Sequence, residues 1–252
     1  LNTQNIQTKQ FTWSTDLTFS TYNDRWKERD PNWKPAAYQK EQDPIRGVFA
    51  YVADGLLQPG EEAPAHQPQL LPGQVKLKNI NGDDKLNEED MVLIGRNDPK
   101  FIFGFNNNFS YKNFDLNIYM YGQVGKIAGA NSYYDAWGSY GNRIKLGQNV
   151  PVSFKDAWSS DNQTSTRPSF IESAYGTGDL FLQKISFLRI RNITLGYTVP
   201  ISKSICNRLR VYADINNPCV WTNWKGQDPE TDSNTNAYPN VTSFSIGVDI
   251  SF

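Results

Sequence analysis

The sequence carries one histidine, two cysteines and almost no net charge, with Lys+Arg 25 against Asp+Glu 26. A lone His66 removes metal sites built on several histidines and any histidine-based catalytic triad. Cys206 and Cys219 are too few for a disulfide scaffold. If one extended strand joins them, its rise of ~3.3 Å per residue holds their Cα atoms beyond disulfide reach, so both are read as free. Balanced charge gives no whole-chain field that would draw in nucleic acid, and no nucleic-acid partner is expected. No apolar run approaches the ~20 residues of a membrane-spanning helix. That absence excludes helices only, because a transmembrane β-barrel shows lipid every second residue and is polar on average. The chain starts at Leu1 with neither an initiator methionine nor a charged-then-apolar leader, so a leader has been removed or this is a piece of something longer.

What the chain does have is aromatic residues, 13% of the total and spread along its length. Near the N-terminus "KQFTWSTDLTFSTY" sets Phe11, Trp13, Thr15, Leu17 and Phe19 on one parity and Thr12, Ser14, Asp16, Thr18 and Ser20 on the other, a strand signature. Arg25 to Pro44 is looser and rich in Trp, Pro and Lys. A further strand is expected at "IRGVFAYVADG", and proline content argues loop from Leu56 to Gly73. "KFIFGFNNNFSY" and "NFDLNIYMYGQ", joined by Lys112-Asn113, form the clearest hairpin. From Val124 to Gly178 the pattern lapses into a long glycine-, serine- and aromatic-rich connection. "FLQKISFLRIRNITLGYTVP" slips parity around Arg189 to Asn192, which predicts a β-bulge. Pro218 in "RLRVYADINNPCVWT" suits an end or a bulge better than a central ladder. The closing "VTSFSIGVDISF" (241–252) sets Phe244, Ile246, Val248, Ile250 and Phe252 against Ser243, Ser245, Gly247, Asp249 and Ser251. Such alternation suits a soluble sandwich or a membrane barrel. A last strand ending on an aromatic, with short links on one side and long loops on the other, favours the barrel.

"KNINGDDKLNEEDMVLIG" (78–95) places Asn79, Asn81, Asp83, the Lys85 carbonyl, Asn87 and Asp90 at the ligand positions of an EF-hand-type calcium loop. Asn79 stands where an aspartate is usual, Asp84 where a glycine is, and Asp90 where a longer glutamate would bind with both oxygens. The alternative is an Asn/Gly/Asp-rich solvated turn. For an enzyme such as a β-sandwich glycosidase two spaced carboxyls are needed. Glu88, Glu89 and Asp90 are adjacent in a turn and no second cluster is marked out, so no catalytic residue is assigned and no enzyme is expected. A secreted carbohydrate-binding module with one dockerin-like loop is the remaining soluble alternative.

"GQVKLKNINGDDKLNEEDMVLIGRNDPKFIFGFNNNFSYKNFDLNIYMYGQVG", "FLRIRNITLGYTVP", "LRVYADINNPCVWTNWKGQDPET" and "SFSIGVDISF" together resemble the C-terminal third of the SusC/RagA family of TonB-dependent outer-membrane transporters of Bacteroidetes. The resemblance implies an all-β fold, the C-terminal portion of an antiparallel transmembrane β-barrel of about 22 strands with a plug and long extracellular loops. Some seven or eight of those strands would be present, without the plug and the TonB box. It implies active import across the outer membrane of an oligosaccharide, or in some members a peptide, with a SusD-like surface lipoprotein closing over the mouth. TonB would act through the missing N-terminal region. No cofactor is required; Ca²⁺ at the 78–95 loop is the one ion expected. Tyr133, Tyr134, Trp137, Tyr140 and Trp158 in the long loop (124–178) are candidates to touch substrate or partner, against packing of the loop on itself or the aromatic girdle. Trp221, Trp224 and "GQDPET" are read as a structural turn near the outer rim.

Overall fold

A computed structural model describes residues 1–128, 146–147, 149–150, 152–171, 173–201, 206–231 and 237–252. One antiparallel sheet dominates it. The strands, in chain order, are β1 (Asn2–Gln7), β2 (Phe11–Ser20), β3 (Gly47–Ala50), β4 (Ala53–Leu56), β5 (Val75–Leu77), β6 (Val92–Arg96), β7 (Phe101–Tyr111), β8 (Phe114–Ala128), β9 (Gln183–Thr198), β10 (Arg208–Thr222) and β11 (Ser243–Ser251). The main sheet runs β1-β2-β7-β8-β9-β10-β11, so every strand pairs with its neighbour in the meander. β3 with β6 and β4 with β5 form two small ribbons within the connection from β2 to β7.

The register turns the alternation of the sequence into two continuous surfaces. Ile6, Trp13, Phe109, Leu116, Leu195, Ala213 and Ile246 are successive cross-strand partners and so form an apolar row across all seven strands. One residue along, Gln4, Ser14, Asn108, Asn117, Thr194, Asp214 and Ser245 form a polar row on the opposite face. That polar face is knitted sideways: Asn117 Nδ2 donates to Asn106 and Asn108 Oδ1, both at 2.7 Å, and Thr194 Oγ1 donates to Asp214 at 2.6 Å. Arg210 spans Asp115 at 2.6 Å and Asp249 at 3.1 Å. Gly196 is what lets Arg210 lie flat there, since a Cβ would meet its guanidinium at 2.4 Å.

The apolar face is not a protein core. Phe244 is 75% and Ile246 83% exposed, and Leu195, in an inner strand, is 50% exposed. The buried apolar residues lie elsewhere. Leu56, Val75 and Leu77 form one cluster, Ala128, Ile185, Phe187 and Trp224 a second, Phe154 and Ala157 a third. All belong to the long connections or to strand ends beside them. A sandwich would bury the alternating face against a second sheet, whereas this sheet leaves it open and the buried clusters among the described residues lie at one end.

Two irregularities explain where the sequence pattern faltered. Between β8 and β9 the register skips Arg191, and between β9 and β10 it skips Asn217 and Pro218, where Asn217 has φ 49°. The parity slip and the awkward proline are thus one bulge, with Pro218 placed where no ladder donor is needed. The second irregularity corrects the start of the long connection, read from the sequence at Val124. β8 continues to Ala128, because Gly125 (φ 82°) is bulged out between Val124 and Lys126 and resets the alternation.

Candidate functional site at the loop-bearing end of the sheet

The link Lys112-Asn113 and the β1–β2 turn lie at one end of the sheet, and the connections β2–β7, β8–β9 and β10–β11 at the other. At the short end Lys112 takes φ 53° and its N–H donates to the Gln10 carbonyl, which ties the two turns together.

At the long end the 79–90 loop is built from successive side-chain-to-backbone bonds. Asn79 Oδ1 accepts from Gly82 N–H, Asn81 Oδ1 from Asp83 N–H, Asp83 Oδ1 from Lys85 N–H and Asn87 Oδ1 from Glu89 N–H. Asp84 adopts φ 57°, the left-handed conformation that a glycine supplies in the usual loop, so the substitution noted in the sequence leaves the turn intact. Asp90, fully buried, accepts from Ile80 N–H at 2.7 Å and Asn87 N–H at 3.0 Å, using both oxygens on the backbone. Among the described residues no group of three or more His, Cys, Asp or Glu side chains is gathered as a metal centre. The side-chain oxygens of Asn79, Asn81, Asp83 and Asn87 supply a donor set of low charge. Burial, with Asp90 and Glu88 nearby, raises the pKa of the Tyr51 phenol above its ordinary value.

Trp158 belongs to the Leu56–Val75–Leu77 cluster, half-buried. Its ring lies over Gly73, where a Cβ would come within 2.2 Å, and its Nε1 donates to Gln58 Oε1 at 3.4 Å. Tyr133, Tyr134, Trp137 and Tyr140 lie outside the described residues. Phe244, Ile246, Val248 and Ile250 stand on the open apolar face of β11, followed by Phe252 at the strand's end.

The buried polar centre of this end joins the GQDPET turn, read from the sequence as structural, to Arg189, which the sequence had not marked as its partner. Arg189, 2% exposed, donates to Asp228 at 2.8 Å, and its Nε lies 2.8 Å from Glu230 Oε2. Asp228 also accepts from Glu230 N–H and Asn240 N–H, and the Tyr121 hydroxyl donates to Glu230. Burial works to raise the Asp228 pKa, but the two backbone N–H groups and Arg189 outweigh it and hold the carboxyl below the usual range. With Trp224 buried against Ile185 and Phe187, this pins the β10–β11 connection onto the polar side of β8 and β9. For Arg189 itself the sequence signal was a polar residue inside a segment of slipping parity.

A cavity of about 400 Å³ lies in the β2–β7 connection, lined by Trp26, Arg29, Tyr38, Gln39, Asp43 and Phe49 among others. Arg29 stands over Trp26 at 4.6 Å and Trp33 at 3.9 Å, and the Tyr38 and Phe49 rings are 5.0 Å apart. The tryptophan-rich stretch was legible as composition, not as a cavity.

An open apolar face, a hydrogen-bonded polar face and an up-and-down meander define a segment of a transmembrane β-barrel wall. Among the described residues no helix is long and apolar enough to cross a membrane, which says nothing of strands. No protein-family model matches the chain. It is 26% identical to the TonB-dependent receptor P3 of Formosa agariphila, over 100% of this chain and 28% of that protein. Against the TonB-dependent receptor SusC of Bacteroides thetaiotaomicron the identity is 26%, over 68% of this chain and 17% of the other. Among solved structures, the RagAB peptide importer in its open-open state superposes with a TM-score of 0.77 at 20% identity, over 100% of this chain and 28% of that one. In sequence and in fold the chain is thus similar to part of the TonB-dependent receptors of the SusC/RagA kind, and its sheet is a portion of an outer-membrane β-barrel. It spans little more than a quarter of the length of such relatives.

Proposed function

We propose that the protein to which this chain belongs imports a nutrient, most directly an oligosaccharide, across the outer membrane. In this reading TonB supplies the work and a SusD-like lipoprotein covers the mouth. The observation that carries it is the sheet itself: one face greasy and open, the other a polar wall, with all the bulky connections gathered at one end. The relatives are named as receptors and the solved neighbours as transporters, which supports import over catalysis. A peptide cargo is the second reading, favoured by the likeness to the RagAB peptide transporter. The test is uptake by intact cells of labelled oligosaccharides and peptides, with and without the gene, alongside protease treatment of those cells. Loss of oligosaccharide uptake on deletion and cleavage within 148–177 support the proposal. Loss of peptide uptake alone shifts the cargo to the second reading, and loss of neither overturns import.

We further propose the 79–90 loop as a weak structural Ca²⁺ site, held by Asn79, Asn81, Asp83, the Lys85 carbonyl and Asn87, with Asp90 closing the loop through its backbone bonds. The support is the left-handed Asp84 and the ordered side-chain oxygens. Bound calcium would add rigidity and no chemistry. A thermal shift on adding Ca²⁺ that Asp83→Asn abolishes is the expected result.

A further inference from the structure

We propose that the cavity of the β2–β7 connection is a sugar-binding subsite, with Trp26 as its stacking platform and Arg29, Gln39 and Asp43 as its hydroxyl partners. The proposal rests on the import reading and assigns it a place outside the loop at 124–178. Three features of the cavity select this class of ligand. First, it is walled by half-buried aromatic rings, Trp26, Tyr38 and Phe49, whose flat faces suit the apolar C–H side of a pyranose. Second, the polar groups among those rings are of both kinds. A sugar hydroxyl donates and accepts at once, so its site needs acceptors and donors side by side. Asp43 offers carboxylate oxygens, one of which already takes the Lys40 N–H at 2.6 Å and is held in place by it. Gln39 uses its Oε1 on the Ala36 N–H at 3.2 Å, which fixes the amide and leaves its NH₂ group as the donor. Third, Arg29 is fixed by stacking. Its guanidinium lies over Trp33 and Trp26 and its Nε reaches the Glu41 carbonyl at 3.5 Å, so its Nη donors are oriented by aromatic faces rather than by a carboxylate. A volume of about 400 Å³ is at the lower end of the usual range for small-molecule sites. It holds a terminal sugar ring or two, not a length of extended peptide, whose backbone would need a strand edge to pair with.

The experiment uses the full-length receptor, purified from outer membranes in detergent, and calorimetric titration with short neutral oligosaccharides of glucose, xylose and mannose, and with a pool of short peptides. Trp26→Ala removes the platform, and Gln39→Ala removes a polar partner without disturbing a ring. Trp221→Phe, on the opposite side of the wall from the polar face, is the control. At least one oligosaccharide is expected to bind the wild type and the Trp221→Phe receptor equally. Trp26→Ala is expected to weaken it at least tenfold, and Gln39→Ala severalfold, with outer-membrane levels unchanged. Unchanged affinity in both cavity variants overturns the subsite, as does binding of peptides and no sugar. Uptake by cells carrying the same variants separates the two readings. Transport that continues with affinity unchanged removes the subsite alone, and a wild type that takes up neither sugar nor peptide removes the import reading with it. Should Trp26→Ala fail to reach the membrane, Gln39→Ala still decides.

Discussion

At the scale of single residues the consequential groups are those with no water to fall back on. Arg189 and Asp228 are both nearly fully buried, so removing one partner strands the other charge. Asp228→Ala is expected to cost about 3–5 kcal/mol and to release the β10–β11 connection, read as faster proteolysis between Asn223 and Asn240 in the full-length receptor. The same pair sets a pH dependence. The Asp228 pKa lies below its unfolded value of about 3.9, so its contribution is complete above that pH and is lost as pH falls through the lower folded value. The connection should therefore stay protected from neutral pH down to about 4 and open only in stronger acid, with Asp228→Asn removing that acid step. Asp90 is the second such group, with two backbone N–H donors depending on it. Asp90→Ala leaves both without their acceptor and is expected to destabilise the loop by roughly 1–3 kcal/mol for each group stranded, measured as loss of hydrogen-exchange protection at Ile80 and Asn87.

At the scale of elements, the strands were legible wherever period two ran uninterrupted, and their pairing followed from turn length. β7 and β8 with their two-residue link, and the alternation of β11, could be read directly because alternation encodes a sheet with two unlike sides. What alternation could not encode was which side meets lipid; that came from finding the buried apolar clusters of the described residues at one end and Leu195 half exposed. Substituting Ile118→Arg, on the apolar side of β8 and further from the Phe114 end, should then cost about 2–4 kcal/mol, whereas Ser14→Arg on the polar face should be close to neutral. Urea unfolding of the receptor in lipid vesicles compares them. Where reading failed it failed at bulges, since Gly125 and Arg191 each reset parity and conceal strand behind an apparent lapse. The cavity and the Arg189 centre escaped for other reasons: the cavity is folded from one aperiodic stretch between Trp26 and Phe49 with Met91, and the GQDPET turn could be read as a turn but not as the partner of Arg189, some forty residues away.

At the scale of the whole molecule, β1 and β11 each pair on one side only, leaving two open edges on a sheet with an exposed apolar face. Both are templates for association. The chain expressed by itself should aggregate or demand detergent, and a soluble monomer with one sharp unfolding transition would contradict the barrel wall. The likeness to the SusC/RagA receptors could be recognised from the ordered segments between Gly73 and Phe252. The side chains that would tell one cargo from another sit in connections that follow no period, so the wall and its family likeness were readable and the cargo was not.

The placement of every long connection at one end also bears on how the protein is made. A wall whose short turns lie on one side has to send its bulky side through the hydrocarbon layer, and the β2–β7 connection alone takes folded ribbons, charged side chains and a buried Asp90 with it. Unfolded, that cargo is strongly hydrated, and dehydrating it opposes passage far more than the strands' greasy face favours it. Assembly should therefore be limited by the loops and not by strand pairing. Shortening the connections would speed insertion, but would lose the packing that Trp224 and the Arg189–Asp228 pair give the loop-bearing end.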